Sequence, residues 1–374
     1  MKLIIDEDIP FIGGVFEPFF NVVYLKGAEI TAELVKGADG LIIRTRTKCN
    51  RHLLDGSKVR FIATATIGTD HIDMEYCKNA GITVANAAGC NAGGVMQYVF
   101  TALYGLAVKK GFSLPDLSGI KDDCSETKRV IGVIGVGNVG SKVADLAEYL
   151  GFEVLRCDPI KEREQTLAFN GGKLRIENFK DYYSLEYLLE NSDIVTMHTW
   201  LDDVTCKMAD EEFFSRMKQG AVFINASRGE VVDEIALLGA IGKLGAVVID
   251  VWNGEPKLNK ELLSAVDIAT PHIAGYSLEG KRNGTEMSVR SAADFFNILP
   301  LKNFRSNDKE YQSIFVDFKG LNYSRISELL TGIFPIFEDD FNLRSNPDSF
   351  EILRSKYNYR REFYVNATTK TTDY

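Results

Sequence analysis

Residues 129–151 read RVIGVIGVGNVGSKVADLAEYLG, and the strand, turn and helix they spell decide the fold. The apolar run Val130–Ile134 predicts a strand, and SKVADLAEYL carries apolar residues at helical spacing. Between them stands Gly135-x-Gly137-x-x-Gly140, with Asn138 and Val139 inside the turn. The first glycine makes a tight turn, the second lets backbone N–H groups approach a pyrophosphate, and the third allows close packing of helix on strand. The positive end of the helix then faces the anion. A second strand, EVLRCD, ends in Asp158, 18 residues beyond Gly140. An acid there accepts hydrogen bonds from ribose hydroxyls and repels a 2′-phosphate, so the pattern predicts a dinucleotide site that prefers NAD to NADP. Arg156, near the 2′ position, is expected to point away.

The same β-then-α rhythm extends in both directions. Upstream, Lys2–Asp6, Asn21–Leu25, Gly40–Ile43, Arg60–Thr64 and Ile82–Ala85 predict short strands, with helices at Thr31–Lys36 and Met74–Ala80. A long helix is expected over Ala92–Lys110, capped by Asn91, with Gly93 and Gly94 admitting a close backbone neighbour. Downstream, strands are expected at Glu153–Cys157, Asp193–Met197, Ala221–Ile224, Ala246–Val251 and Val266–Ala269. Gly111–Arg129 is polar and predicts an exposed loop. After Leu299 the pattern changes to strand-like KEYQSIFVDFKG, two helices (Ser324–Ile333 and Ser349–Tyr359) and strand-like REFYVNA. The fold class is therefore α/β. Two Rossmann-like, doubly wound parallel sheets are expected, with a small α+β unit behind them. The expected domains are 1–92 completed by 279–298, 93–278, and 299–374.

The chain has 374 residues, a formal net charge of −9 and a hydrophobic fraction of 45%. An acidic chain repels nucleic-acid phosphates and anionic lipids, which argues against both as partners. The start MKLIIDEDIP is too short in apolar residues for a signal peptide, and no run suits a bilayer span. Six cysteines show no zinc spacing, so no metal is expected, and free thiols point to the cytoplasm.

Four histidines limit the choice of a general base. His52 is expected on a solvated helix face and His71 in a strand-to-helix turn. His198, at the end of a strand, is read as structural or cofactor-flanking. His272 lies in TPHIAGY, where a strand and a proline can aim it. Glu255, in DVWNGEP, follows its own strand; a carboxylate beside a histidine favours the imidazolium. Arg228, in INASRGEVVD, also follows a strand and offers a bidentate grip on a carboxylate. All three come after the carboxyl ends of predicted strands, where open parallel sheets bind ligands. Base, modulator and guanidinium are what removal of hydride and proton from a 2-hydroxy acid needs.

NASRGEVVD, DVWNGEP and TPHIAGY, in that order and behind GxGxxG with its distal Asp, resemble the Arg–Glu–His segments of D-2-hydroxyacid dehydrogenases over residues 1–298. IIRTRTKCN, FIATATIGTDHID, AAGCNAGGVMQYVF and TPHIAGYSLEGKRNGT resemble one branch of that family, whose substrate is a phosphorylated 2-hydroxy acid. LRSKYNYRREFYV resembles the extra C-terminal dimerisation domain of that branch. The resemblance implies catalytic roles for Arg228, Glu255 and His272, the last in proton transfer. It implies substrate contacts at Thr45, Thr66 and Tyr276. It implies NAD contacts at Asp158, Thr199, Asp250 and Gly275, and along Ala226, Ser227 and Arg228. It also implies a homodimer. Thr45 stands where the family has Ser, which keeps the hydroxyl, and the loop before the glycine turn is longer than usual.

RTRTK adds chemistry of its own. In extended chain Arg44, Arg46 and Lys48 share a face, a candidate cradle for a substrate phosphate. Arg360 and Arg361 are further candidates across a dimer. Two other readings stay open: a family member acting on 3-phosphoglycerate or glycerate, and a nucleotide-sensing protein that has lost catalysis.

Overall fold

The computed structural model describes residues 1–119, 129–170, 180–306 and 313–365, with only the backbone of 169 and 170. The chain divides into two compact units, Met1–Asn91 with Ser277–Ser313, and Ala92–Tyr276 with Ile314–Tyr374. Part of the polar stretch 111–129 lies outside the described residues.

The first unit holds β1 (Lys2–Asp6), β2 (Asn21–Leu25), β3 (Gly40–Ile43), β4 (Phe61–Thr64) and β5 (Thr83–Asn86). They form one parallel sheet in the order β2-β1-β3-β4-β5. β3 and β4 are buried at every position, as central strands covered on both faces must be. One face packs Leu3, Ile5, Ile42 and Phe61 against Val289 and Ala293 of the helix Leu278–Phe295; the other packs Ile4, Leu41, Ile43 and Ile62 with Leu53 and Cys77. The order turns back between β1 and β3, which makes that pair the switch point of the sheet.

The second unit holds β6 (Val130–Ile134), β7 (Glu153–Cys157), β8 (Ile194–Met197), β9 (Val222–Asn225), β10 (Ala246–Ile249) and β11 (Ile268–Ala269). The order is β11-β10-β9-β8-β6-β7, all parallel, and a lone parallel bridge joins Arg156 of β7 to Tyr182. Here the switch point falls between β6 and β8. The long helix Ala92–Lys110 forms as expected, with fourteen of its residues buried, so it reads as a core helix rather than a surface one.

Within 314–365, side chains pack into this same core. Val316, Phe318, Ile326, Leu330, Phe334 and Phe363 share a cluster with Tyr98 and Leu103 of the long helix. β12 (Ile314–Val316) and β13 (Phe363–Val365) pair in parallel. The helix Tyr323–Ile333 matches expectation, while the helix expected over Ser349–Tyr359 is confined to Phe350–Ser355. A helix over Ile336–Ser345 was not expected. Its buried stripe is Ile336, Asp340 and Leu343, and the acid in the middle breaks the apolar period. Asp340 is satisfied there by the Ala269 N–H and by Arg344.

Two local expectations fail. Asn91 does not cap the long helix, because its Oδ1 is buried with no hydrogen-bond partner among the described residues. Its Cβ stands 2.9 Å from where a side chain on Gly280 would begin, which fixes it against the helix Leu278–Phe295 instead. Gly93 admits no backbone; a Cβ there would stand 2.2 Å from the Glu362 carboxylate.

Candidate active site

The glycine turn sits at the switch point of the second sheet. Gly135 has a φ of 82°, and a Cβ on it would stand 2.7 Å from the His198 carbonyl, so β6 and β8 meet here backbone to backbone. A Cβ on Gly140 would collide with the Gly135 carbonyl. Gly137, by contrast, faces open space and precedes the helix Asn138–Leu150 with no side chain capping it. An uncapped helix start with open space before it suits a pyrophosphate. Asp158 accepts from the Val136 N–H at 2.8 Å and the Lys161 N–H at 3.0 Å, which holds its carboxylate beside the turn. Arg156 points away from it, 5% exposed and paired with Glu148 at 2.6 Å. Thr199 Oγ1, just past β8, is buried without a partner among the described residues, a polar atom awaiting a ligand. These features fit NAD. His198 donates or accepts with Thr196 at 3.0 Å, and burial pushes its imidazole down to about 3, so it stays neutral.

Three loops at the carboxyl ends of β9, β10 and β11 carry Arg228, Glu255 and His272. Asn225 closes the first: its side chain accepts from Ser227 and donates to the Arg228 carbonyl at 2.9 Å. Gly229 then presses on the second loop so closely that a Cβ would lie 2.1 Å from the Trp252 carbonyl carbon. The Arg228 and Glu255 loops are thereby packed together. Arg228 is half-buried, and its Nη1 donates to the Ser227 carbonyl at 2.8 Å.

Glu255 accepts from the Trp252 N–H at 3.0 Å, and its Oε2 lies 2.8 Å from His272 Nδ1. Burial raises the Glu255 carboxyl, but the charge and hydrogen bond of His272, the Trp252 amide and Arg354 outweigh it, and the net shift is downward. Trp252 is fully buried and donates its indole N–H to the Thr270 carbonyl, stitching the β10 loop to the β11 loop.

His272 itself sits at φ 57°, a left-handed conformation that costs a non-glycine residue about 1–3 kcal/mol. Asp250 holds it there. The Asp250 carbonyl accepts the His272 N–H, and its carboxylate accepts from Thr270 Oγ1, the Ile273 N–H and the Ala274 N–H at 2.6–2.9 Å. Burial raises this carboxyl against the opposing pull of His272 and those donors. Tyr98 of the long helix meets Thr270 at 2.7 Å. Ala226 is half-buried behind Ser227, and Gly275 lies in a turn closed by the Tyr276 N–H on the Ile273 carbonyl.

In the first unit Arg44 and Arg46 follow β3 at the switch point. The extended conformation expected there is absent. The Thr47 N–H closes a turn on the Arg44 carbonyl at 3.2 Å, so alternate residues do not share a face. Arg44 donates to the Asp8 carbonyl at 3.1 Å, and Thr45 and Arg46 are exposed. Thr66 Oγ1 meets Thr64 Oγ1 at 2.7 Å, and Thr64 meets His71 Nε2 at 3.2 Å. His52 is exposed, as expected.

Sequence reasoning missed Trp252, Thr270 and Tyr98, which tie the loops together, and Arg354, which reaches Glu255 and Tyr276. Trp252 lies inside DVWNGEP, where a large aromatic side chain was the available signal. Arg354 lies inside LRSKYNYRREFYV, but nothing in that stretch ties it to Glu255.

A phosphate-ready glycine turn at one switch point, and a histidine–carboxylate pair with an arginine on the adjoining loops, define a dinucleotide-dependent hydroxyacid dehydrogenase. The chain belongs to the D-isomer specific 2-hydroxyacid dehydrogenases, and residues 121–274 match the model of that family's NAD-binding domain. It is an NAD-dependent oxidoreductase. Along 97% of each chain it is 44% identical to an erythronate-4-phosphate dehydrogenase of Bacteroides fragilis. It is 37% identical to the enzyme of that name from Shigella flexneri, over 97% of this chain and 92% of that one. Among solved structures it is similar to a D-lactate dehydrogenase of Aquifex aeolicus complexed with NAD and lactic acid. That match has a TM-score of 0.60 and 26% identity, and covers 83% of this chain and all of that one.

Proposed function

We propose that the chain oxidises 4-phospho-D-erythronate to (R)-3-hydroxy-2-oxo-4-phosphooxybutanoate with NAD, a step of pyridoxal 5′-phosphate (vitamin B6) biosynthesis. The names of its relatives support the substrate. The single observation that carries the chemistry is the 2.8 Å approach of Glu255 to His272 Nδ1. With Nδ1–H given to the carboxylate, Nε2 keeps its lone pair and takes the proton of the substrate hydroxyl. NAD, when bound, supplies the acceptor for the hydride that leaves C2. Arg228 grips the substrate carboxylate and polarises the oxygen on which charge develops. Tyr276, Thr45 and Thr66 offer hydroxyls, and Arg44 and Arg46 offer charge for the phosphate. Gly135–Gly140, Asp158, Thr199, Ala226–Arg228, Asp250 and Gly275 are assigned to the cofactor, with Asp250 acting through the turn it pins.

An assay with NAD and a panel of 2-hydroxy acids tests this. 4-Phospho-D-erythronate should give the highest kcat/KM, and NADP should serve poorly. A higher value for 3-phosphoglycerate or glycerate moves the assignment to that branch.

The chain is also proposed to be a cytoplasmic homodimer joined through its C-terminal segment. Phe315 and Tyr364 support the dimer: 58% and 41% exposed, their rings 5.9 Å apart, they form an aromatic face on the β12–β13 ribbon. Four buried and one exposed free thiol among the described cysteines support a reducing compartment. Replacing Phe315 and Tyr364 together by Glu should give a monomer by light scattering; an unchanged dimer mass removes the ribbon from the interface.

A further inference from the structure

Three arginines of the C-terminal segment contact the loops and helices of Ala92–Tyr276 within the second unit, and they differ in what they hold. Arg344 caps carbonyls at the end of the helix Lys260–Ala265 and pairs with Asp340. Arg360, 7% exposed and 4.1 Å over the Phe334 ring, gives its donors to the carbonyls of Gly94, Ile273, Ala274 and Tyr276. Both are framework contacts of backbone to guanidinium. Arg354, in the helix Phe350–Ser355, holds no backbone carbonyl among the described residues. Its Nε donates to the Tyr276 hydroxyl at 3.0 Å, and its Nη1 lies 3.7 Å from Glu255 Oε2, the oxygen that also receives His272 Nδ1. Its side chain is 20% exposed. The ring it addresses is packed edge-on by Tyr357 and Tyr359 from the same segment.

We propose that Arg354 is a positioning residue for the dehydrogenase reaction: one guanidinium ties the Glu255 carboxylate to the Tyr276 hydroxyl, and so sets the charge facing His272 and the pose of Tyr276 together. The proposal deepens the reading above and rests on it for the roles of His272 and Tyr276. A cation beside Glu255 draws off part of the carboxylate's field, which would otherwise act wholly on the imidazole. Arg354 therefore opposes Glu255 in its effect on His272. The other charges around the pair are Asp250 beneath the His272 turn, Arg228 on the adjoining loop, Glu351 one turn before Arg354, and Arg360 behind the turn.

The opposition gives a test whose sign a packing role does not reproduce. The His272 ring is followed by NMR titration of histidine-labelled protein, its signal identified by loss in H272N, in the wild type, E255Q and R354M. E255Q should move the His272 midpoint down, and R354M should move it up by about half a pH unit or more. R354K, which keeps the charge but loses the planar fork, should hold the midpoint while KM for the hydroxy acid rises about fivefold at unchanged NAD affinity. A midpoint in R354M that stays put or falls overturns the proposal. If R354M does not fold, R354K decides, and a wild-type KM there overturns it. The titration needs no substrate. A wild type that turns over no 2-hydroxy acid would therefore sink the functional reading while the midpoints still judge Arg354.

Discussion

The carboxyl ends of the two sheets are built in opposite ways. Behind β9, β10 and β11, nearly every polar group is committed: Asp250 to three donors, Glu255 to Trp252 and His272, Asn225 to the Arg228 loop. Behind β3 and β4 the candidate groups stand on turns, with Thr45 and Arg46 open to solvent and Arg44 and Thr66 half-buried. The difference follows from the work proposed for each. Proton transfer needs atoms fixed to a fraction of an ångström, and only a saturated buried network supplies that. Holding a phosphate needs charge at roughly the right distance, and long side chains on a turn suffice.

Substitutions should reflect this contrast in their size. His272→Ala should lower kcat by about 10²–10⁴-fold, the usual worth of a general base. A loss under about tenfold would be too small for that role. Asp250→Asn should cost about 1–3 kcal/mol of stability in thermal unfolding, because an amide N–H₂ must then face a backbone donor. An unchanged Tm would mean the turn is held by something else. Glu255→Gln should move the acidic limb of the pH–rate profile downward, since the imidazolium loses its counter-ion. The same carboxyl is held below its ordinary 4.5, so it stabilises the fold above that pH and ceases to as pH falls through the depressed value. E255Q should flatten that part of the acid-unfolding curve. Arg44→Ala and Arg46→Ala should each raise KM about fivefold with kcat unchanged, as charges in contact with solvent and worth at most about 1 kcal/mol do. If either abolishes turnover, the first unit's strand ends are as tightly built as the second's. His52→Ala should shift stability by less than about 0.5 kcal/mol.

Much of this was legible beforehand because it is local. β1, β2, β3, β6 and β7 have the bounds that alternation and glycine punctuation indicate, and the long helix Ala92–Lys110 does too. Arg228, Glu255 and His272 could be singled out because each follows a strand in a motif. What escaped was non-local. RTRTK looks extended in one dimension, yet a hydrogen bond from Thr47 to Arg44 bends it. Asp340 disguises a helix because its partner, Ala269, is 71 residues away. Arg354 is one arginine among many until folding brings it to Glu255, 99 positions earlier in the chain.

Arg360 has a further consequence, in time rather than in space. It grips the carbonyls of Ile273, Ala274 and Tyr276, so the turn bearing His272 is framed by a residue translated almost ninety codons later. A nascent chain halted near residue 340 would carry the whole triad and still lack its frame. Ribosome-stalled chains of graded length should gain activity only after residue 360 clears the exit tunnel, and activity at a shorter length would show that the turn sets itself.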